Sequence, residues 1–126
     1  MKIIKNYIHG KEQGTSNNLI NVYDPSKGEA CAKVALSNNK DFEIAINSSL
    51  ESQIKWSKQT PLKRSRILAN YKSLIERDID KLAETISIEH GKTLEDAKGS
   101  ITRGLEVVEF ATGIPHLIKG EFSHNV

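Results

Sequence analysis

At Asn38 the apolar residues of this chain change period, and that change decides most of what it can fold into. Downstream, Phe42, Ile46, Leu50 and Ile54 recur at steps of four and draw one stripe along a helix ending near Trp56. Asn38, with Asp41 three residues on, supplies the residue types of a cap for it. Upstream, Tyr, Ile and Val fall in short runs, Lys5 to His9 and Leu19 to Tyr23, bounded by Gly10, Gly14, Thr15, Ser16, Asn17 and Asn18. That punctuation predicts two short strands paired as a small hairpin. Asp24-Pro25-Ser26-Lys27-Gly28-Glu29 then sets Pro where its fixed φ suits a turn and Gly where a positive φ costs nothing, leading a second hairpin into Ala30 to Leu36.

The helical pattern continues to the C-terminal side. Thr60-Pro61 places a hydroxyl at the N-cap and Pro at the first helical position, where its missing N–H is not needed. Leu62, Ile67, Leu68, Tyr71, Leu74 and Ile75 form the apolar face. Asp78 recaps a following segment through Leu82 and Ile86, with the boundary at Arg77 or Asp78, and Gly91 closes it as the residue just past the helix. Thr93 with Asp96 resembles a capping box for a third long helix, in which Leu94, Ala97, Ile101, Leu105, Val108 and Thr112 share one face. Gly113 and Pro115 stop it. With no internal repeat, low-complexity tract or linker, the pattern is one α+β domain's worth of chain: N-terminal β-hairpins followed by three long helices.

Bulk properties narrow the function classes. The 37% hydrophobic content is slightly poor for a chain of 126 residues that must make its own core, as though a packing partner lay elsewhere. Eighteen basic and 16 acidic side chains give a net charge of +2, spread along the chain, which argues against nucleic acid as a partner and leaves small charged substrates open. Lys63, Arg64 and Arg66 form a local basic patch without interleaved aromatics for base stacking. The single cysteine, Cys31, can make neither an internal disulfide nor a structural zinc site, which fits a reducing compartment. No signal peptide or membrane span is legible, so a cytoplasmic address is expected.

The third long helix carries the most informative local chemistry. Its face opposite the apolar stripe gathers Asp96, Gly99, Arg103, Glu106 and Phe110. A solvated face has little use for Gly, which costs about 1 kcal/mol against Ala in a helix interior, or for an exposed Phe. Either the helix is packed on two sides, or Arg103 points into a site beside Phe110, where a guanidinium fork binds a carboxylate bidentately. Cys31 sits in a predicted strand, away from the helix N-terminus or cations that would activate a thiol, and is not read as a nucleophile. His9, His90, His116 and His124 are too widely separated for a local metal motif, and no metal site is expected. Asn47-Ser48-Ser49 matches a glycosylation sequon but falls inside a predicted helix. No glycine-rich phosphate loop occurs, so cofactor-binding residues are not expected within this chain.

The run from Glu89, Glu-His-Gly-Lys-Thr-Leu-Glu-Asp-Ala-Lys-Gly, then Arg103-Gly-Leu-Glu-Val-Val-Glu-Phe and Gly113-Ile-Pro-His-Leu-Ile-Lys-Gly-Glu-Phe122, resembles the CoA-acylating methylmalonate-semialdehyde dehydrogenases, a branch of the aldehyde dehydrogenases. Weaker, superfamily-level similarity extends back through Trp56, Pro61, Arg64, Arg66, Ile67 and Leu68, Gly28-Glu29 and Asp24-Pro25 to Asn6-Tyr7-Ile8 and Gly10. Asp24 stands where Asn is usual, and Thr112 where Cys or Ala is expected. The resemblance implies that residues 1–126 are the N-terminal part of a Rossmann-like α/β NAD domain, without the catalytic and oligomerisation domains. It implies a reaction in which a downstream cysteine thiolate attacks the semialdehyde and hydride passes to NAD. CoA then resolves the thioester while carbon dioxide is lost, giving propionyl-CoA or acetyl-CoA, a step of valine catabolism. It also implies a homotetramer for the complete enzyme and a substrate-binding role for Arg103, on the substrate carboxylate. The chain alone is expected to be inactive, with two alternatives: a short interaction module docking on a separate dehydrogenase chain, or an inactive remnant.

Overall fold

The computed structural model describes residues 1–121 together with Ser123 and His124. The chain divides into two units, Met1–Lys58 with Ile88–Gly91, and Gln59–Ser87 with Lys92–Val126. Phe122, which closes the quoted motif, lies outside the described residues.

In the first unit, strands β1 (Lys2–Ile4), β5 (Ala30–Ala35) and β4 (Leu19–Tyr23) form one sheet in the order β1-β5-β4. The β4–β5 hairpin is the second expected hairpin, with Leu19 opposite Ala35 and a register irregularity between Val22 and Tyr23. Its connection is built as the residues dictate. Ser26 N–H and Oγ both donate to Asp24 Oδ1, at 2.8 and 2.6 Å, the Gly28 N–H donates to the Asp24 carbonyl at 2.8 Å, and Gly28 adopts φ +71°.

The first expected hairpin is corrected. The run at 5–9 contains β2 (Asn6–Ile8), which pairs antiparallel not with Leu19–Tyr23 but with β3 (Lys11–Gln13), Asn6 opposite Gln13 and Ile8 opposite Lys11. The connection is His9-Gly10, both at positive φ, +55° and +73°, the left-handed pair that matches the twist of a two-residue hairpin. Gly10 is therefore the turn itself rather than punctuation between longer strands. β1 pairs parallel to β5, Lys2 opposite Ala32 and Ile4 opposite Val34, which no local pattern announces because the partners are thirty positions apart.

Helix α1 (Asn39–Ser57) begins at a closed capping box: Asn38 Oδ1 accepts from the Asp41 N–H at 3.0 Å, and Asp41 Oδ2 accepts from the Asn38 N–H at 3.1 Å. Asp41 is 2% exposed, and its Oδ1 also accepts from the Thr15 N–H at 2.6 Å. Ser37 Oγ donates to Asn6 Oδ1 at 3.0 Å, so the start of α1 is tied to β2 and to the loop after β3 by polar contacts. The covered face of α1 is Asp41, Ile44, Ala45 and Ser48. The apolar stripe of Phe42, Ile46, Leu50 and Ile54 is exposed.

In the second unit, α2 (Pro61–Arg77) packs against α4 (Leu94–Thr112) and the single turn α5 (Ile114–Leu117). Thr60 Oγ1 caps α2 by accepting from the Lys63 N–H at 3.3 Å. The three expected long helices are α1, α2 and α4, and the segment expected after Asp78 is the shorter, separate α3 (Ile79–His90). Asp78 makes the break: its N–H donates to the Leu74 carbonyl at 3.1 Å, closing α2, while its own carbonyl accepts from Leu82 at 3.0 Å, opening α3. Gly91 follows α3 at φ +80°, as a glycine just past a helix end should. Ser65 Oγ donates to the Thr112 carbonyl at 2.6 Å, and Lys72 Nζ lies 3.4 Å from Glu109, joining α2 to the last turns of α4. Lys98 pairs with Asp80 at 2.9 Å, joining α4 to α3. Among the described residues the buried apolar set is only Ala32, Ala83, Ala97 and Leu105, and no large side chain is fully buried. No described helix is long and apolar enough to cross a membrane.

Candidate functional site on helix α4

The site is built from the start of α4 outward. Thr93 Oγ1 accepts from the Asp96 N–H at 3.2 Å and fixes the first turn. Just before it, Ser87 Oγ donates to the Lys92 carbonyl at 2.7 Å, which holds the α3–α4 connection. Steps of four along the helix surface then bring Lys92, Asp96 and Ser100 together. Lys92 Nζ lies 3.0 Å from Asp96 Oδ2 and 2.8 Å from Ser100 Oγ, with its side chain only 16% exposed. Arg103, three residues further on, reaches back so that Nη2 donates to the same Ser100 Oγ at 3.1 Å.

Two cations thus converge on one hydroxyl. Asp96 answers Lys92, whereas among the described residues Arg103 forms no ion pair with a carboxylate. Arg103 is exposed, and among the described residues the contact with Ser100 is the one hydrogen bond of its planar guanidinium, which leaves most of its five donors uncommitted there. Gly99 borders this position: a Cβ there would stand 3.6 Å from Arg103 Nη1, an ordinary contact, so the glycine makes room without being sterically required. The expected pairing of Arg103 with Phe110 takes a different form. Arg103 leans toward the N-terminal end of α4, while Phe110 lies two turns away in the other direction and is 69% exposed.

The remaining candidates fall elsewhere. Cys31 lies on β5, exposed, its thiol donating to the Val22 carbonyl at 3.4 Å, a strand contact that does nothing to activate it. His9 Nδ1 is 3.2 Å from Ser48 Oγ, His90 ends α3 and His116 sits in α5; no described group of His, Cys, Asp or Glu is arranged to hold a metal ion. Lys63, Arg64 and Arg66 occupy the start of α2, where Arg64 Nε is buried without a hydrogen-bond partner among the described residues. Asn47 lies within α1. Sequence reasoning missed Lys92 and Ser100. Their signal was present in the steps of four from 92 through 96 to 100, but Ser and Lys on a helix surface are ordinarily solvated and attract no attention alone.

Residues 11–125 match the model of the Aldehyde dehydrogenase family. A malonate-semialdehyde dehydrogenase of Shouchella clausii is 43% identical over 119 residues, which are 94% of this chain and 24% of that protein. A crystal structure described as a methylmalonate-semialdehyde dehydrogenase from Sinorhizobium meliloti, complexed with NAD, superposes with a TM-score of 0.95 at 42% identity, covering 98% of this chain and 26% of that one. The methylmalonate-semialdehyde dehydrogenase of Oceanimonas doudoroffii superposes with a TM-score of 0.96 at 37% identity over 100% of this chain and 26% of its own. The chain therefore spans about a quarter of the length of the relatives it matches.

Proposed function

Since this chain belongs to the aldehyde dehydrogenase family, we propose that it is the N-terminal portion of an NAD-dependent oxidoreductase acting on malonate or methylmalonate semialdehyde, in which Arg103 holds the substrate carboxylate. The observation that carries the substrate role is an exposed guanidinium, in the Arg-Gly-Leu-Glu-Val-Val-Glu-Phe motif, that forms no ion pair with a described carboxylate. A bidentate Arg–carboxylate contact distinguishes a semialdehyde acid from a neutral aldehyde of similar length. The names of the relatives support the same substrate class. CoA as acyl acceptor, loss of carbon dioxide to give propionyl-CoA or acetyl-CoA, a role in valine catabolism, a homotetrameric complete enzyme and a cytoplasmic address belong to this reading.

Within it, residues 1–126 are part of the cofactor domain without supplying the cofactor's cradle. The glycines at positive φ, Gly10, Gly28 and Gly91, serve a hairpin turn, a β-connection and a helix end. None of the three opens a helix after a strand, so these glycines form no pyrophosphate cradle, and in this reading the NAD contacts come from the rest of the family fold. The nucleophilic cysteine belongs there too.

The test is a chimera in which residues 1–126 replace the matching quarter of the Sinorhizobium meliloti enzyme. Arg103→Leu should lower kcat/KM for malonate semialdehyde roughly tenfold to a hundredfold, the range for a lost charge-assisted hydrogen bond, and change propanal oxidation far less. Equal losses on both aldehydes would remove Arg103 from the substrate site. A second reading, a short module that docks on a separate dehydrogenase chain, is favoured by the exposed stripe on α1. It predicts that mixing this chain with a relative lacking its first quarter restores NAD reduction, and no recovery at any ratio counts against it.

A further inference from the structure

Ser100 has its full hydrogen-bonding capacity committed. Its hydroxyl hydrogen goes to the Asp96 carbonyl at 3.2 Å, and its two lone pairs receive Lys92 Nζ at 2.8 Å and Arg103 Nη2 at 3.1 Å. The Asp96 carbonyl belongs to the helix and cannot turn. Lys92 is mostly covered and is anchored by the Asp96 carboxylate at 3.0 Å, so it holds the hydroxyl from the other side. Of the two cations Arg103 is the exposed one, a long side chain with several bonds to freeze before its fork can meet a ligand, whereas the Lys92 side chain is 16% exposed. One donor on Nη2 is spent on Ser100, which restrains the guanidinium at that end, while the rest of the fork makes no hydrogen bond among the described residues.

We propose that Ser100 is the positioning residue for Arg103: with Lys92 and Asp96 it forms a fixed rest that orders the guanidinium along α4 before a carboxylate arrives. This inference rests on the reading of Arg103 as the carboxylate-holding group. Lys92 and Arg103, two cations, share the one hydroxyl, and among the described residues Arg103 forms no ion pair with a carboxylate. Ordering the cation in advance removes part of the entropy that binding otherwise costs, so its effect falls on substrate affinity rather than on the chemical step.

In the chimera described above, Ser100→Ala should raise KM for malonate semialdehyde roughly threefold to tenfold, the scale of one net hydrogen bond, with a much smaller change in kcat. Ser100→Thr, which keeps the hydroxyl, should restore KM. An unaltered KM in Ser100→Ala beside a raised KM in Arg103→Leu overturns the positioning role and leaves the Arg103 reading standing. Loss of discrimination in neither variant overturns both. Independently of turnover, side-chain NMR relaxation at Arg103 Nε in the 126-residue chain should report greater mobility in Ser100→Ala than in the parent. Equal mobility overturns the proposal.

Discussion

Asp41 shows how much one carboxylate can organise. Its oxygens accept the backbone N–H groups of Asn38 and Thr15, the first closing the cap of α1 and the second holding the loop after β3. Those hydrogen bonds, Asn38 first and then Thr15, hold its carboxyl below the usual carboxylate range and outweigh the burial that pushes the other way. A lowered folded-state pKa means that the unfolded chain takes up this proton first as pH falls. The contribution to stability is complete above the ordinary value near 3.8 and is lost as pH drops through the lower folded value. Asp41→Asn should therefore lower the urea midpoint at neutral pH and flatten the acid limb of stability against pH. An acid limb of unchanged slope would mean that Asp41 is uncoupled from folding. The Asn38 and Asp41 pairing was legible at three-residue spacing, whereas the Thr15 contact was not, because nothing in a sequence marks which buried oxygen will receive a loop N–H twenty-six positions away.

At the scale of elements, the helices were legible and the strand partners were not. Caps and glycines announce helix ends locally: Asn38, Thr60, Thr93 and Gly91 all stand where their chemistry requires. Strand pairing is a choice between distant segments, and Lys11-Glu12-Gln13 has neither β-branched nor aromatic side chains to advertise β3. The His9-Gly10 turn also lacks the Asn or Asp that marks most such turns. Gly91 allows a sharp test of this level. At φ +80°, with a built Cβ 3.0 Å from Pro25 Cγ, Gly91→Ala meets both left-handed strain and a close contact. It should cost at least about 1–2 kcal/mol in urea unfolding. A midpoint equal to the parent's would show that the α3 end and the Pro25 turn readjust freely. The candidate site was legible in part: Arg103 emerges from its motif, while Ser100 and Lys92 emerge only when the helix is wound and their side-chain lengths meet.

Across the whole molecule, apolar surface outruns apolar burial. Phe42, Leu50 and Ile54 are 66%, 60% and 61% exposed, and Leu62, Ile67, Tyr71 and Leu74 on α2 are also open. The periodicity identified these helices correctly but could not say that the α1 stripe would turn away from the elements around it, since a stripe records a buried face without naming its partner. Arg64 Nε, buried without a hydrogen-bond partner among the described residues, adds a polar atom to a surface that the relatives, about four times as long, have further chain to cover. The 126-residue chain should accordingly bind a hydrophobic dye and associate as concentration rises, and the triple change Phe42→Lys, Leu50→Lys and Ile54→Lys should suppress both. Association unchanged by the triple variant would place the sticky surface elsewhere. The parallel pairing of β1 with β5 has a consequence in time. The β4–β5 hairpin closes a short loop and can form as soon as its own residues are free, whereas β1 must wait for a partner thirty positions downstream. During synthesis β1 is made before β5 and has no strand to pair with until β5 has emerged, so in this sheet an earlier strand joins no sooner than a later one.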